Sequence, residues 1–69
     1  METSKKIRKA RRAAKMSQGE LASKCGVCNS YISAYERGIR IPKLSTIAVI
    51  AKALNVSPVS LLPDTFLNA

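Results

Sequence analysis

Residues 17–32 read SQGELASKCGVCNSYI. Ser17 stands before a helical pattern, and Glu20 follows three residues later. The two form a capping box. The Ser17 hydroxyl accepts from a backbone N–H of the first turn, and the Glu20 carboxylate reaches back to the N–H of Ser17. Leu21, Ala22 and Cys25 recur at helical spacing and make a buried side. Gly26 ends the helix, because glycine adopts the left-handed conformation without steric penalty. A second helix begins near Cys28 or Asn29 and runs to near Arg37. Ile32 and Tyr35 lie three apart and face inward, and Gly38 stops the helix.

The flanking segments continue in the same style. Thr3 or Ser4 caps a first helix that reaches to about Lys15, with Ile7, Ala10 and Ala14 toward the core. After Gly38, a loop runs to Lys43, with Ile41 tucked inward and Pro42 preparing the next start. Leu44, Ile47, Ile50, Ala51 and Leu54 form the apolar side of a fourth helix. Ser57 caps a short fifth helix with Pro58 at its first position. Leu61 and Leu62 close the core, and Pro63 halts the helix. The expected helices are 4–15, 17–25, 28–37, 44–54 and 57–62, with a tail over 63–69. No segment shows sustained strand alternation. The expected fold class is all-α: a compact five-helix unit, one domain over residues 1–69.

Charge narrows the function. Twelve Lys and Arg oppose four acids, a net charge of +8 on 69 residues. So dense a positive field favours polyanions, nucleic acid first and an anionic membrane second. No apolar run has the length of a membrane span. The basic N-terminus lacks the uninterrupted apolar stretch of a signal peptide. A cytoplasmic protein with no membrane partner is expected. With no His and scattered acids, no nucleophile–base pair is present, so no enzyme activity, cofactor or metal is expected. The cations from Lys5 to Lys15 surround a narrow apolar stripe and read as a solvated face, some of it available to phosphate.

Gln18, Ala22, Gly26 and Ile32 match the spacing of a helix-turn-helix. Ala22 is small where the next helix crosses, Gly26 permits the tight turn, and Ile32 anchors the second helix on the first. Two helices meeting so steeply let the second protrude into a major groove. The stretches SQGELASKCGV (17–27), YISAYERG (31–38) and PKLSTIAVIAKALNVS (42–57), followed by Leu61 and Leu62, extend the pattern. From Ile7 to Leu62, about four-fifths of the chain, the sequence resembles the lambda-repressor-like, or Xre-type, family of DNA-binding domains.

This resemblance implies a sequence-specific regulator of transcription, a repressor or controller, that binds duplex DNA as a homodimer on two-fold-related half-sites. It implies backbone contacts from Ser17 and Gln18 at the start of helix two, and from Tyr31, Arg37, Arg40 and Lys43. Asn29, Ser30, Ser33 and Ala34 fall on recognition-helix positions that face base edges, and Cys28, at the head of the same helix, is expected to contact bases with them. Asn suits adenine, Ser is an indiscriminate partner, and Ala can touch a thymine methyl. Arg11 and Glu36 match a pair joining helices one and three. No small-molecule effector is evident, because no second domain is evident.

The cysteines depart from the family pattern. Cys25-Gly26-Val27-Cys28 is a C-x-x-C, which invites a dithiol redox or metal-binding reading. Redox motifs of this kind sit between a strand and a helix, and structural zinc wants four ligands. The reading taken is that Cys25 is a small core residue and Cys28 stands where Ser or Thr usually caps a helix. An antitoxin or other interaction module that also binds DNA remains the alternative function.

Dimerisation calls for an apolar surface. Val59, Leu62, Phe66 and Leu67 lie at or beyond the fifth helix and are expected to meet across a two-fold axis. The alternative is that Phe66 folds back as a lid or that the tail frays.

Overall fold

The capping box at Ser17 forms as its chemistry requires. The Glu20 N–H donates to Ser17 Oγ at 3.0 Å, and the Ser17 N–H donates to Glu20 Oε1 at 2.9 Å. In the computed structural model, which describes residues 2–63, this cap opens α2 (Gln18–Cys25). Before it comes α1 (Glu2–Ala13); after it come α3 (Asn29–Glu36), α4 (Leu44–Leu54) and a 3₁₀ turn at Pro58–Leu61. Every regular element among the described residues is helical.

Among the described residues the α-helices number four, not the expected five. The fifth element is a single 3₁₀ turn, and its two prolines explain why. Pro58 occupies the start of the turn, and Leu62, the residue before Pro63, is extended at φ −81° and ψ 151°. A residue preceding proline is pushed out of the α region by the proline ring. Too few residues remain between the two prolines for an α-helix to propagate.

The first helix also differs at both ends. It begins at Glu2, so Thr3 and Ser4 lie within its first turn, both buried, rather than capping it from outside. It ends at Ala13 because Lys15 turns left-handed at φ 58°. All four helices stop in this manner. Left-handed residues at Lys15, Gly26, Gly38 and Asn55 are each followed by an N–H that returns to a carbonyl five residues earlier, as from Met16 to Arg11 and from Val27 to Ala22. These bonds satisfy carbonyls that a helix end would otherwise leave unpaired.

The core gathers Ile7 from α1, Leu21 and Ala22 from α2, and Ile32 and Tyr35 from α3. Ile47, Ile50, Ala51 and Leu54 of α4 join them, with Leu61 and Leu62. Three expected core positions lie outside it. Ala14 is exposed past the end of α1. Ile41 is 74% exposed, and the neighbouring Pro42 is buried in its place. Leu44 shares a face with Ile47 but is 60% exposed at the first position of α4.

The left-handed helix ends give two substitutions of opposite sign. Gly26 sits at φ 71° with nothing within 4 Å of where a Cβ would stand, so only backbone strain opposes a side chain there. Gly26→Ala should destabilise the fold by about 1–2 kcal/mol, the usual excess of a left-handed alanine. Lys15→Gly should stabilise it by up to about 1 kcal/mol, since the strain at Lys15 outweighs the added freedom of the unfolded chain. Urea unfolding of both variants beside the parent chain measures the two signs.

Candidate nucleic-acid interface

α3 has an inner and an outer side. Ile32 and Tyr35 are buried, and so is Glu36, whose side chain is 0% exposed. Asn29 and Ser30 are exposed at its N-terminus, Ser33 and Ala34 are half-buried beside them, and Arg37 is exposed at its end. No exposed acid lies on this helix. Arg40 and Lys43, in the loop that leads to α4, are also exposed. The recognition-helix residues expected from sequence therefore share one polar edge with cations beside it.

A buried carboxylate is costly unless its oxygens are bonded and its charge matched. Glu36 has both. Arg11 Nε donates to Glu36 Oε2 at 2.6 Å, and Arg11 Nη2 donates to Oε1 at 3.0 Å, a bidentate fork that joins α1 to α3. The same guanidinium donates to the Met16 carbonyl at 2.8 Å, between α1 and α2. Gln18 Nε2 donates to Glu36 Oε1 at 3.2 Å, bringing in the first residue of α2. Arg8 adds a bond to the Glu36 carbonyl at 2.9 Å, and its Nε lies 3.7 Å from Oε1. Sequence reasoning named Arg11 and missed Arg8. The signal was its place one turn before Arg11 on the same helical face.

Ser17 is exposed, with its hydroxyl engaged in the α2 cap. Gln18 is half-buried, with its amide held toward Glu36. Tyr31 is exposed on α3; its ring lies 6.4 Å from that of the buried Tyr35, and the Arg40 guanidinium sits 4.8 Å above it. Cys28 is the N-cap of α3, exposed and without a capping side-chain bond. Cys25 is a free thiol packed partly against the core, and burial pushes its pKa up. That works against a reactive thiolate at this position. Among the described residues, no three His, Cys, Asp or Glu side chains come together as metal ligands would. No helix among them is long and apolar enough to cross a membrane. Val59 is 52% exposed, whereas Leu62 is 9% exposed and belongs to the core, so it has little surface left for a partner. Phe66 and Leu67 lie outside the described residues.

Burial alone would raise the Glu36 pKa. The hydrogen bonds from Arg11 and Gln18, with the charges of Arg11 and Arg8, outweigh it and hold the carboxyl below its ordinary value. A depressed carboxyl pKa contributes stability that is present above the unfolded-state value and is lost as pH falls through the folded-state value. Glu36→Gln should therefore cost about 3 kcal/mol near neutral pH, because the partly buried Arg11 loses its countercharge. The gap between parent and variant should close as pH falls below about 4. Urea titrations across pH measure it, and a gap independent of pH would show that packing, not charge, carries the effect.

Residues 7–61 match the profile of the Helix-turn-helix family. The chain is 47% identical over 51 residues to an HTH-type transcriptional regulator of Mycobacterium tuberculosis; the match spans 74% of this chain and 36% of that relative, about a third of its length. The fold superposes on the restriction-modification controller protein C.AhdI from Aeromonas hydrophila with a TM-score of 0.85 at 34% identity, covering 88% of this chain and 92% of that one. It superposes on the P22 c2 repressor, solved with a synthetic operator, with a TM-score of 0.82 at 34% identity, covering 90% and 94%. The polar outer edge of α3, the left-handed turn at Gly26 and the profile match over most of the chain lead to one assignment: this chain belongs to the helix-turn-helix family, of the lambda-repressor-like kind.

Proposed function

We propose that this chain is the DNA-binding part of a transcriptional regulator that reads a specific operator with α3. One observation carries the reading. The exposed edge of α3 offers Asn29, Ser30 and Ser33 without an acid, with Arg37, Arg40 and Lys43 beside it, while the opposite side is anchored in the core. Short polar side chains on a rigid helix suit base edges in a major groove, and flanking cations suit phosphates. The P22 c2 repressor, whose structure holds an operator, supports this reading, as does C.AhdI, a restriction-modification controller. In this arrangement Cys28 and Asn29 lead into the groove, and Ser33 and Ala34 follow one turn later. Ser17, Gln18, Arg37, Arg40 and Lys43 lie toward the backbone.

A single recognition helix spans few base pairs. A homodimer places two such helices about 34 Å apart along the duplex and doubles the sequence read. Of the residues expected at such an interface, Val59 is the described one that is both apolar and exposed. Val59→Asp should give a folded monomer with weakened operator binding. Sedimentation of free protein and of complex decides this; a parent chain that stays monomeric in both would remove the dimer.

The reading as a whole is tested by selecting bound duplexes from a random pool and titrating salt. The log of affinity should fall linearly with log salt, by about 0.9 for each phosphate neutralised. Asn29→Ala should relax the preference at one base position, whereas Lys43→Ala should weaken all sequences alike. A flat salt response, or a pool left unselected, overturns the proposal.

A further inference from the structure

We propose that Tyr31 is a positioning residue, which holds the Arg40 guanidinium beside the recognition helix so that it meets a DNA phosphate already oriented. This role rests on the DNA-binding reading and departs from the sequence expectation that Tyr31 itself contacts the backbone.

Three observations place the pair. The loop after α3 folds back on its own helix: the N–H groups of Ile39 and Arg40 both donate to the Ala34 carbonyl, at 3.0 and 3.3 Å. The backbone of Arg40 is thereby pinned to the last turn of α3. Its side chain then runs back toward the helix start, where the guanidinium lies 4.8 Å over the Tyr31 ring. Tyr31 in turn leans on Tyr35, with ring centroids 6.4 Å apart and planes at 31°. Tyr35 is buried, so the stack is fixed at its base. A fixed ring, a held cation and a pinned backbone follow in series.

The chemistry fits that order. An arginine on a loop has many rotamers, and ordering it at the moment of binding weakens affinity. Stacking on a tyrosine face orders it beforehand through cation–π attraction. The contact uses the face of the planar guanidinium and leaves its in-plane N–H donors free for a phosphate. Arg40 also borders an open hollow with Tyr35, Lys43 and Thr46, so a second cation and a hydroxyl adjoin the same space. Lys5, Lys9 and Arg12 on α1 are exposed too, but no ring or hydrogen bond orders them among the described residues.

The test is a double-mutant cycle in the full chain on the selected operator, with a second readout in the free protein. Tyr31→Phe keeps the ring and should bind within about twofold of the parent, whereas Tyr31→Leu should bind about three- to fivefold more weakly, the range of an exposed cation–π contact. In an Arg40→Ala background, Tyr31→Leu should cause no further loss. In the free protein, the Arg40 side-chain methylene resonances should carry a ring-current shift that Tyr31→Phe retains and Tyr31→Leu abolishes. Equal losses for Phe and Leu would assign the role to the hydroxyl as a direct contact, and additive losses in the cycle would separate Tyr31 from Arg40; either overturns the proposal. A ring-current shift unchanged in Tyr31→Leu overturns it without reference to DNA. Should Tyr31→Leu fail to fold, Tyr31→Gln on the exposed helix surface serves in the same cycle. Should the parent chain bind no duplex, the DNA reading fails, and with it the phosphate role, whereas the ring-current arm still reports whether the stack exists.

Discussion

The carboxylate of Glu36 organises the domain. It is buried and charged, and it is stable there only because Arg11 meets it with a bidentate fork while Gln18 and Arg8 supply further N–H groups. These partners come from two other helices. Arg8 and Arg11 belong to α1, and Gln18 is the first residue of α2. One side chain at the end of the recognition helix therefore fixes three helices against one another. Apolar packing alone is less selective, since hydrophobic contacts tolerate sliding where a forked, charged bond does not.

This arrangement divides the positive charge. Arg8 and Arg11 on α1 are engaged with Glu36, Arg11 largely buried and Arg8 with 41% of its side chain still exposed. Arg37, Arg40 and Lys43 remain exposed near the polar edge of α3. A net charge of +8 alone speaks only for a polyanion. Its distribution over the fold separates charges that hold the helices from charges available to a partner. Gln18 stands at the boundary: one amide hydrogen is engaged with Glu36, and the side chain remains half-exposed. A residue that contacted phosphate from this position would be coupled through Glu36 to the end of the recognition helix.

Short helices do little to stabilise themselves. In this chain α2 and α3 have eight residues each, and their ends do much of the work. Left-handed residues close all four described α-helices, and the one at Gly26 turns the chain so sharply that only three residues separate α2 from α3. Ala22 keeps α2 close to α3, and Ile32 fills the core behind it. The recognition edge is thereby carried on a short helix anchored from behind, with its polar side chains left outside.

The sequence by itself determined the helix-turn-helix. Ser17 and Glu20 at capping spacing, Gly26 at the turn, and Ile32 and Tyr35 on one side of α3 are local patterns, and local patterns set helix ends and buried faces without knowledge of distant partners. The pairing of Arg11 with Glu36 was legible through family resemblance, since residues 25 apart carry no periodicity that joins them. Tertiary structure decided the rest. The two prolines that reduced the fifth helix to a 3₁₀ turn were visible, but their combined effect depends on Leu62 being held extended while its side chain enters the core. Ile41 and Leu44 are as apolar as the residues that are buried, yet the packed fold leaves them outside while Pro42 goes in. The convergence of Arg8 and Gln18 on one carboxylate, and the stack of Arg40 on Tyr31, depend on how the helices cross and how the loop returns. Those are distances in space between residues that the chain alone keeps apart.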